Sequence, residues 1–342
     1  MPEISRVLVI AEIGVNHNGD LGLAKSMIDA AATSDVDIIK FQTAVPELVQ
    51  IETAPKARYQ TTTTDADESA MDMIASLQFS YDEFRELKGY VESRGKQFLS
   101  TAFDLESLEF LSSLGLTLFK IPSGEITNLP YLRSIARLAE DIILSTGMGT
   151  MEEVTAAVEA ITATGFSREH LTVLQCNTAY PSPIGDTNLL AMVAMGQELG
   201  VKFGYSDHTQ GSSASIAAVA LGATVIEKHF TTDSTLPGPD QHASMEPDAF
   251  AALVASIRDV ELALGSPRKA ISDSERENRP IARRGVYAAR DLPVGQELTL
   301  ADIVCLRPET ELSPMAIDSI LGRRLATPIG KHSPIELGTL TL

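Results

Sequence analysis

Gly204-Tyr205-Ser206-Asp207-His208-Thr209 and Glu227-Lys228-His229-Phe230 decide how this chain is read. Each follows or closes a short β-branched, apolar run, at 201–204 and 224–226, and each sets one histidine just past that run. Short apolar runs bounded by polar residues fit strands buried on both faces, as in parallel sheets. Two imidazoles at the ends of adjacent strands point to one metal ion held at a common face.

Working outward, similar runs rich in Val, Ile, Leu and Phe occur at 7–11, 37–41, 97–100, 117–121, 141–144 and 171–175, which makes eight in all. Between them, 21–33, 81–94, 105–114, 151–164 and 213–221 place apolar residues at helical spacing. Eight β-then-α units in one domain specify an α/β fold, a (β/α)8 TIM barrel, rather than an open doubly wound sheet. Active sites of such barrels are built at the carboxyl ends of the strands. Here those ends carry Glu12, Lys40 and Gln42, Thr101, Lys120 with Ser123 and Glu125, Ser145 and Thr146, Asn177 and Thr178, Ser206 with Asp207 and His208, and Glu227 with His229. Random placement would not put a charged or hydrogen-bonding group at every mouth.

Composition bounds the alternatives. The 342 residues are 44% hydrophobic and 21% charged, ordinary for a globular chain, and no apolar run approaches the ~18 residues of a membrane span. A formal net charge of −19 argues against a nucleic-acid partner. A small anionic substrate would need lysines gathered locally against that field. Cys176 and Cys305 lie far apart without metal-type spacing, so a reducing compartment and no disulfide framework are expected. The opening residues show no signal-peptide pattern, which makes the cytoplasm the expected location.

The 43–80 connection is long for a βα loop and reads as a lid or binding loop. Its Thr61-Thr62-Thr63-Thr64 tract reads as a solvated run, with Arg58, Tyr59 and Gln60 as the expected contacts. A catalytic barrel over 1–270, a polar linker over 271–280 and a small β-rich domain over 281–342 follow from the change to short β-like pieces punctuated by Gly and Pro.

The lysines inside apolar runs, Lys40 and Lys120, are placed to converge on one anion, with Ser123, Ser145 and Ser206 completing a phosphate cage. His208 and His229 suit an open divalent site for Mn²⁺ or Mg²⁺ that polarises a carbonyl, or are satisfied core histidines. Glu12, Glu125 and Glu227 are candidates for proton transfer or for pairing with the lysines, and Asp240 in Pro237-Gly238-Pro239-Asp240 hangs near the same mouth.

Ala11-Glu12-Ile13-Gly14-Val15-Asn16-His17-Asn18-Gly19, Lys40-Phe41-Gln42, Lys120-Ile121-Pro122-Ser123-Gly124-Glu125, Leu144-Ser145-Thr146-Gly147-Met148, Tyr205-Ser206-Asp207-His208-Thr209, Glu227-Lys228-His229-Phe230 and Gly238-Pro239-Asp240 together resemble the sialic acid (nonulosonate) synthase family over essentially the whole chain. The resemblance implies condensation of phosphoenolpyruvate with an open-chain N-acetylated hexose to a nine-carbon 2-keto acid and phosphate. It implies phosphoenolpyruvate held by Lys40, Lys120, Ser123, Ser145, Ser206 and either Asn177 or Thr178. It also implies a metal on His208 and His229, Glu12 and Glu227 in the catalytic machinery, and sugar contacts from Gln42, Tyr59, Glu125, Tyr180 and Asp240. The C-terminal part resembles an antifreeze-like (SAF) domain, which implies a homodimer whose C-terminal domain caps the partner barrel and presents Arg307 to the sugar. The lid and the motif Gln175-Cys176-Asn177-Thr178-Ala179-Tyr180-Pro181 look closer to legionaminate than to N-acetylneuraminate synthases. Alternatives are a barrel aldolase forming a Schiff base through Lys120 or Lys40, and a non-catalytic carbohydrate- or ice-binding protein.

Overall fold

The computed structural model describes residues 6–57, 60–65 and 68–341. Eight parallel strands close into a barrel in chain order: β1 (Leu8–Gly14), β2 (Ile38–Thr43), β3 (Gln97–Ala102), β4 (Leu118–Ile121), β5 (Asp141–Ser145), β6 (Leu171–Cys176), β7 (Lys202–Asp207) and β8 (Val225–His229). β1 pairs with both β2 and β8, so no edge is left open. The strands run further toward the mouth than their apolar runs. Glu12, Gln42, Ser145, Ser206, Asp207, Glu227 and His229 all lie within the ladder, whereas His208 follows it. A parallel ladder hydrogen-bonds backbone whatever the side chain, so hydropathy marks the buried middle of each strand and not its end.

The helices behave as their sequences dictate. Leu21–Ala32 starts on the Asp20 cap, and Tyr81–Ser93 and Met151–Thr162 each start on a capping box, from Ser80 with Glu83 and from Thr150 with Glu153. Their apolar faces bury Met27, Ile28, Phe84, Leu87, Val158 and Ile161 against the outer surface of the barrel. At the amino end of the strands, Asp37 accepts from the Val9 N–H at 2.8 Å and pairs with Arg258 at 2.7 Å and Arg6 at 2.9 Å. The β2 exit, read as a single long loop, carries three short helices, Pro46–Val49, Gln60–Thr63 and Ala70–Ser76. Lys56 ties this segment internally, donating to Thr64 Oγ1 at 3.1 Å and pairing with Glu68 at 3.1 Å. Among the described residues, no helix is long and apolar enough to cross a membrane.

The chain divides into two compact units, Met1–Gly265 and Ser266–Leu342, with the polar 271–280 stretch falling in the second. That unit has an antiparallel pair, β9 (Gly285–Ala288) with β10 (Ile303–Leu306), and a core of its own around Val286, Leu298, Ile320, Leu325 and Ile335. Buried Asp302 organises its middle, accepting from the Thr299 N–H and hydroxyl and pairing with Arg290 at 2.6 Å. The expected 271–280 linker contains one short helical turn, Asp273–Arg276, and the start of a second, Asn278–Ala282.

Candidate active site

A cavity of about 930 Å³ opens at the carboxyl ends of the barrel strands. Its floor is a cluster of four buried charges. Lys40 Nζ lies 2.7 Å from Glu12 Oε2 and 3.6 Å from Glu227 Oε2, while Lys120 Nζ lies 3.5 Å from Glu227 Oε1. Charges this deep persist only when paired and hydrogen-bonded, and each of these is. Lys40 donates to Thr101 Oγ1 at 3.1 Å, Lys120 to Ser145 Oγ at 2.7 Å, Gln42 to Glu12 Oε1 at 3.0 Å and Ser206 to Glu227 Oε1 at 2.8 Å.

The four groups do not titrate alike. Burial pushes Glu12 up to about 7, more than the Lys40 ammonium pulls it down. Burial also opposes ionisation of Glu227, but the Lys120 and Lys40 ammonium groups outweigh it and hold this carboxyl below the ordinary range. Lys120 is lowered by burial, whereas for Lys40 the two glutamates overcome burial and raise it. Near neutrality Glu12 therefore carries its proton part of the time, so less negative charge stands opposite the two lysine nitrogens on the floor. Such a floor favours an anion.

Local backbone explains how these groups meet. Gly14 sits at φ 56° where the β1–β2 register shifts, and a Cβ there would stand 3.0 Å from both Gln42 Nε2 and Glu12 Oε1. Glycine keeps that contact open. Gly147 does the same on the opposite wall: an added Cβ would meet Thr178 Cγ2 at 2.8 Å, Ser123 Oγ at 2.9 Å and Cys176 Sγ at 3.0 Å. Its N–H donates to Ser123 Oγ at 2.9 Å, and Ser123 also contacts Cys176 Sγ at 3.2 Å.

His208 and His229 line one side of the cavity with ring centroids 5.2 Å apart, and the Tyr180 ring packs 4.2 Å from His208 and edge-on, at 5.7 Å, to His229. A carbonyl can only accept, so the 2.5 Å contact of His208 Nδ1 with the Asn177 carbonyl places the proton on Nδ1 and leaves Nε2 with a lone pair. Burial lowers His208 to about 4 and, with His208 itself adding to the effect, lowers His229 well below its ordinary value. Both imidazoles are thus neutral at pH 7. His229 Nδ1 is buried with no hydrogen-bond partner and lies 3.8 Å from Asp240 Oδ2, whose carboxyl burial raises to about 6. The Asp240 turn is braced from the turn after β1: Asn16 Nδ2 donates to Phe230 O at 2.9 Å and Ser244 Oγ at 2.7 Å, and Gln241 donates back to Asn16 O at 2.8 Å.

Most of the residues singled out in the sequence converge here. Glu12, Lys40, Gln42, Lys120, Ser123, Ser145, Thr178, Tyr180, Ser206, His208, Glu227, His229 and Asp240 all line the cavity. Of the two strand-six candidates, Thr178 lines it, while the Asn177 side chain accepts from Ala179 N at 2.7 Å and Ser182 Oγ at 3.1 Å and so shapes its own loop. Glu125 does not pair with either lysine. Its carboxylate accepts from Asn128 Nδ2 at 2.6 Å at the start of the following helix, and its neighbours Ser123 and Gly124 form the wall. Ser206 spends its hydroxyl proton on Glu227, so it positions that carboxylate rather than donating to a ligand. Arg307 is an exposed residue at the end of β10 in the second unit. Tyr59 and Arg58 lie outside the described residues. Thr101, Gly147 and the Asn16–Gln241 brace carry parts of the site for which sequence assigned no role. Their signal was position beside a reactive residue within a strand-end motif.

The NeuB family model matches residues 27–269 and the SAF domain model matches 283–340. The chain belongs to the NeuB family. It is 44% identical over 320 residues to N,N'-diacetyllegionaminic acid synthase of Campylobacter jejuni, covering 94% of this chain and 96% of that one. The enzyme of the same name from Legionella pneumophila is 43% identical over 320 residues, covering 93% and 90%. Among solved structures, the N-acetylneuraminic acid synthetase of Leptospira borgpetersenii, in complex with citrate, superposes with a TM-score of 0.70 at 32% identity over 80% of this chain and 90% of that one. Membership in the NeuB family makes this chain an enzyme of the nonulosonate synthase type, with the cavity above as its candidate active site.

Proposed function

We propose that the barrel condenses phosphoenolpyruvate with an open-chain N-acetylmannosamine-type sugar and water, giving a nine-carbon 2-keto sugar acid and phosphate. The observation that carries this reading is the pair Lys40 and Lys120 bracketing Glu227 on the cavity floor, next to two neutral histidines. Of the two acceptors, N-acetylmannosamine and 2,4-diacetamido-2,4,6-trideoxymannose, full-length likeness to two legionaminic acid synthases favours the second, with N,N'-diacetyllegionaminate as product.

Lys40 and Lys120 bind the phosphate and carboxylate of phosphoenolpyruvate, and Ser145, whose oxygen already accepts from Lys120, has its own proton free for the anion. Thr178 and the Ser123–Gly147 wall close the other side. Carbon 3 of phosphoenolpyruvate attacks the sugar aldehyde carbon, water adds at carbon 2, and the resulting tetrahedral centre collapses with cleavage of the C–O bond to phosphate. Glu12, poised near 7, holds the proton that the new hydroxyl requires. Asp240 and Tyr180 face the sugar, and Gln42 acts by fixing Glu12.

The histidines fit a divalent ion such as Mn²⁺ or Mg²⁺. Both are neutral, His208 presents the Nε2 lone pair and His229 keeps an unpartnered ring nitrogen. No group of three or more His, Cys, Asp or Glu able to hold a metal occurs among the described residues, so water and substrate oxygens would fill the remaining positions. When bound, such an ion supplies Lewis-acid polarisation of the aldehyde.

A Schiff-base lyase is the competing reading, because burial lowers Lys120. It requires trapping by borohydride with pyruvate and no phosphate release. Comparing kcat/KM for phosphate release with the two acceptors, in the presence of Mn²⁺, tests the proposal: turnover is expected, faster with the diacetamido sugar, and none with either overturns it.

A further inference from the structure

Strand alternation sorts β7 and β8 into two layers. The register aligns Ser206 with Glu227, both facing the cavity, and then Asp207 with Lys228, both turned to the outer face beneath the helix Ser213–Ala220. Asp207 and Lys228 are completely buried, paired at 3.1 Å, and lie outside the cavity. Asp207 accepts from Thr209 N at 2.8 Å, Thr209 Oγ1 at 2.7 Å and Ser215 Oγ at 2.6 Å, and Lys228 donates to the Thr209 carbonyl. The turn carrying His208 is therefore held at the residue before and the residue after the imidazole. Lys228 is also the residue directly before His229.

We infer that the Asp207–Lys228 pair is a positioning device, fixing His208 and His229 at the separation a divalent ion requires. This rests on the metal reading proposed above. Fold stability alone is a poor reason for the pair, because a fully buried ion pair pays a desolvation penalty that its attraction often fails to recover, and apolar residues of similar volume commonly replace it without loss. What an apolar pair cannot supply is the set of directed bonds to both sides of residue 208. The bond from His208 Nδ1 to the Asn177 carbonyl orients the ring itself; the outer pair fixes where its backbone stands.

The test is Mn²⁺ affinity, read by electron paramagnetic resonance of free ion, alongside thermal midpoints. The variants are Lys228→Met, the charge-removing double variant Asp207→Asn/Lys228→Met in case the single one fails to fold, and Asp37→Asn as a control that weakens the ion pairs at the opposite end of the barrel. The double variant is expected to stay folded and bind Mn²⁺ at least about tenfold more weakly, as loss of groups supporting metal ligands generally does, while Asp37→Asn lowers the midpoint without changing affinity. Affinity within twofold of the unsubstituted protein in the folded double variant overturns the inference and leaves the metal reading standing. Equal weakening in Asp37→Asn overturns it too, since general destabilisation would then suffice. Absence of Mn²⁺ binding by the unsubstituted protein overturns both readings together.

Discussion

Lys40 Nζ stands 2.7 Å from Glu12 Oε2 with both side chains buried, so the carboxyl that burial pushes to about 7 is also the partner of a fixed ammonium group. The two residues depend on each other in different ways. Lys40→Met leaves Glu12 and part of Glu227 uncompensated, and is expected to lower unfolding free energy by about 3 kcal/mol or more in chemical denaturation. Glu12→Gln keeps the shape and the Gln42 contact region, and is expected to lower kcat by roughly 10²- to 10⁴-fold with phosphoenolpyruvate binding largely retained. Steady-state kinetics with direct ligand titration separates the two effects.

Gly147→Ala tests the wall beside the phosphate cage. Its Cβ would enter within 3.0 Å of three side-chain atoms, and Ser123 and Thr178 must move to admit it. Overpacking of this kind costs about 1–3 kcal/mol. The expected outcome is a raised KM for phosphoenolpyruvate with a smaller change for the sugar.

His17 gives the barrel a predictable acid limb. The ring is buried, stacked 4.1 Å from Phe79, and burial lowers it from 6.5 to about 4. The unfolded chain therefore binds a proton between those values that the folded chain refuses, so the stabilisation present above 6.5 is lost as pH falls toward 4. At pH 5 the loss amounts to about 2 kcal/mol. Denaturant midpoints measured at pH 7 and pH 5 should show at least that slope, and His17→Gln should reduce it by about that amount, leaving the part that buried His208 and His229 contribute in the same way.

Sequence resolved the barrel because strands buried on both faces leave continuous Val, Ile and Leu runs such as Ile142-Ile143-Leu144. The residues inside the site were legible where they continued a strand, as with Glu12, Lys40 and Ser206. Past a strand end the alternation stops sorting neighbours, although Ser123, Tyr180, His208 and Asp240 beyond their strands do line the cavity. β6 stops at Cys176, so nothing in the alternation says that Thr178 faces the cavity while Asn177 turns into its loop. Glu125 lies in a short helical turn after β4, where capping contacts compete for its carboxylate. The pairing of Asp207 with Lys228 depends on cross-strand register, which one strand's pattern does not contain.

Arg307 tests the homodimer that the family resemblance implies, in which the C-terminal domain of one protomer would cap its partner's barrel. Arg307→Ala is expected to raise KM for the sugar at least about tenfold, the loss of one charge-assisted contact, while phosphoenolpyruvate affinity stays nearly intact. Mixing Arg307→Ala with a Lys120→Met variant should then restore partial sugar affinity in heterodimers, measured by kinetics on the mixture.

The fate of the bridging oxygen of phosphoenolpyruvate is the most direct test of the central claim. With that oxygen labelled with ¹⁸O, and Mn²⁺ and the diacetamido sugar present, ³¹P spectra should show inorganic phosphate released with the label retained, because the C–O bond breaks. Unlabelled phosphate, or no phosphate with either acceptor sugar, would contradict the account.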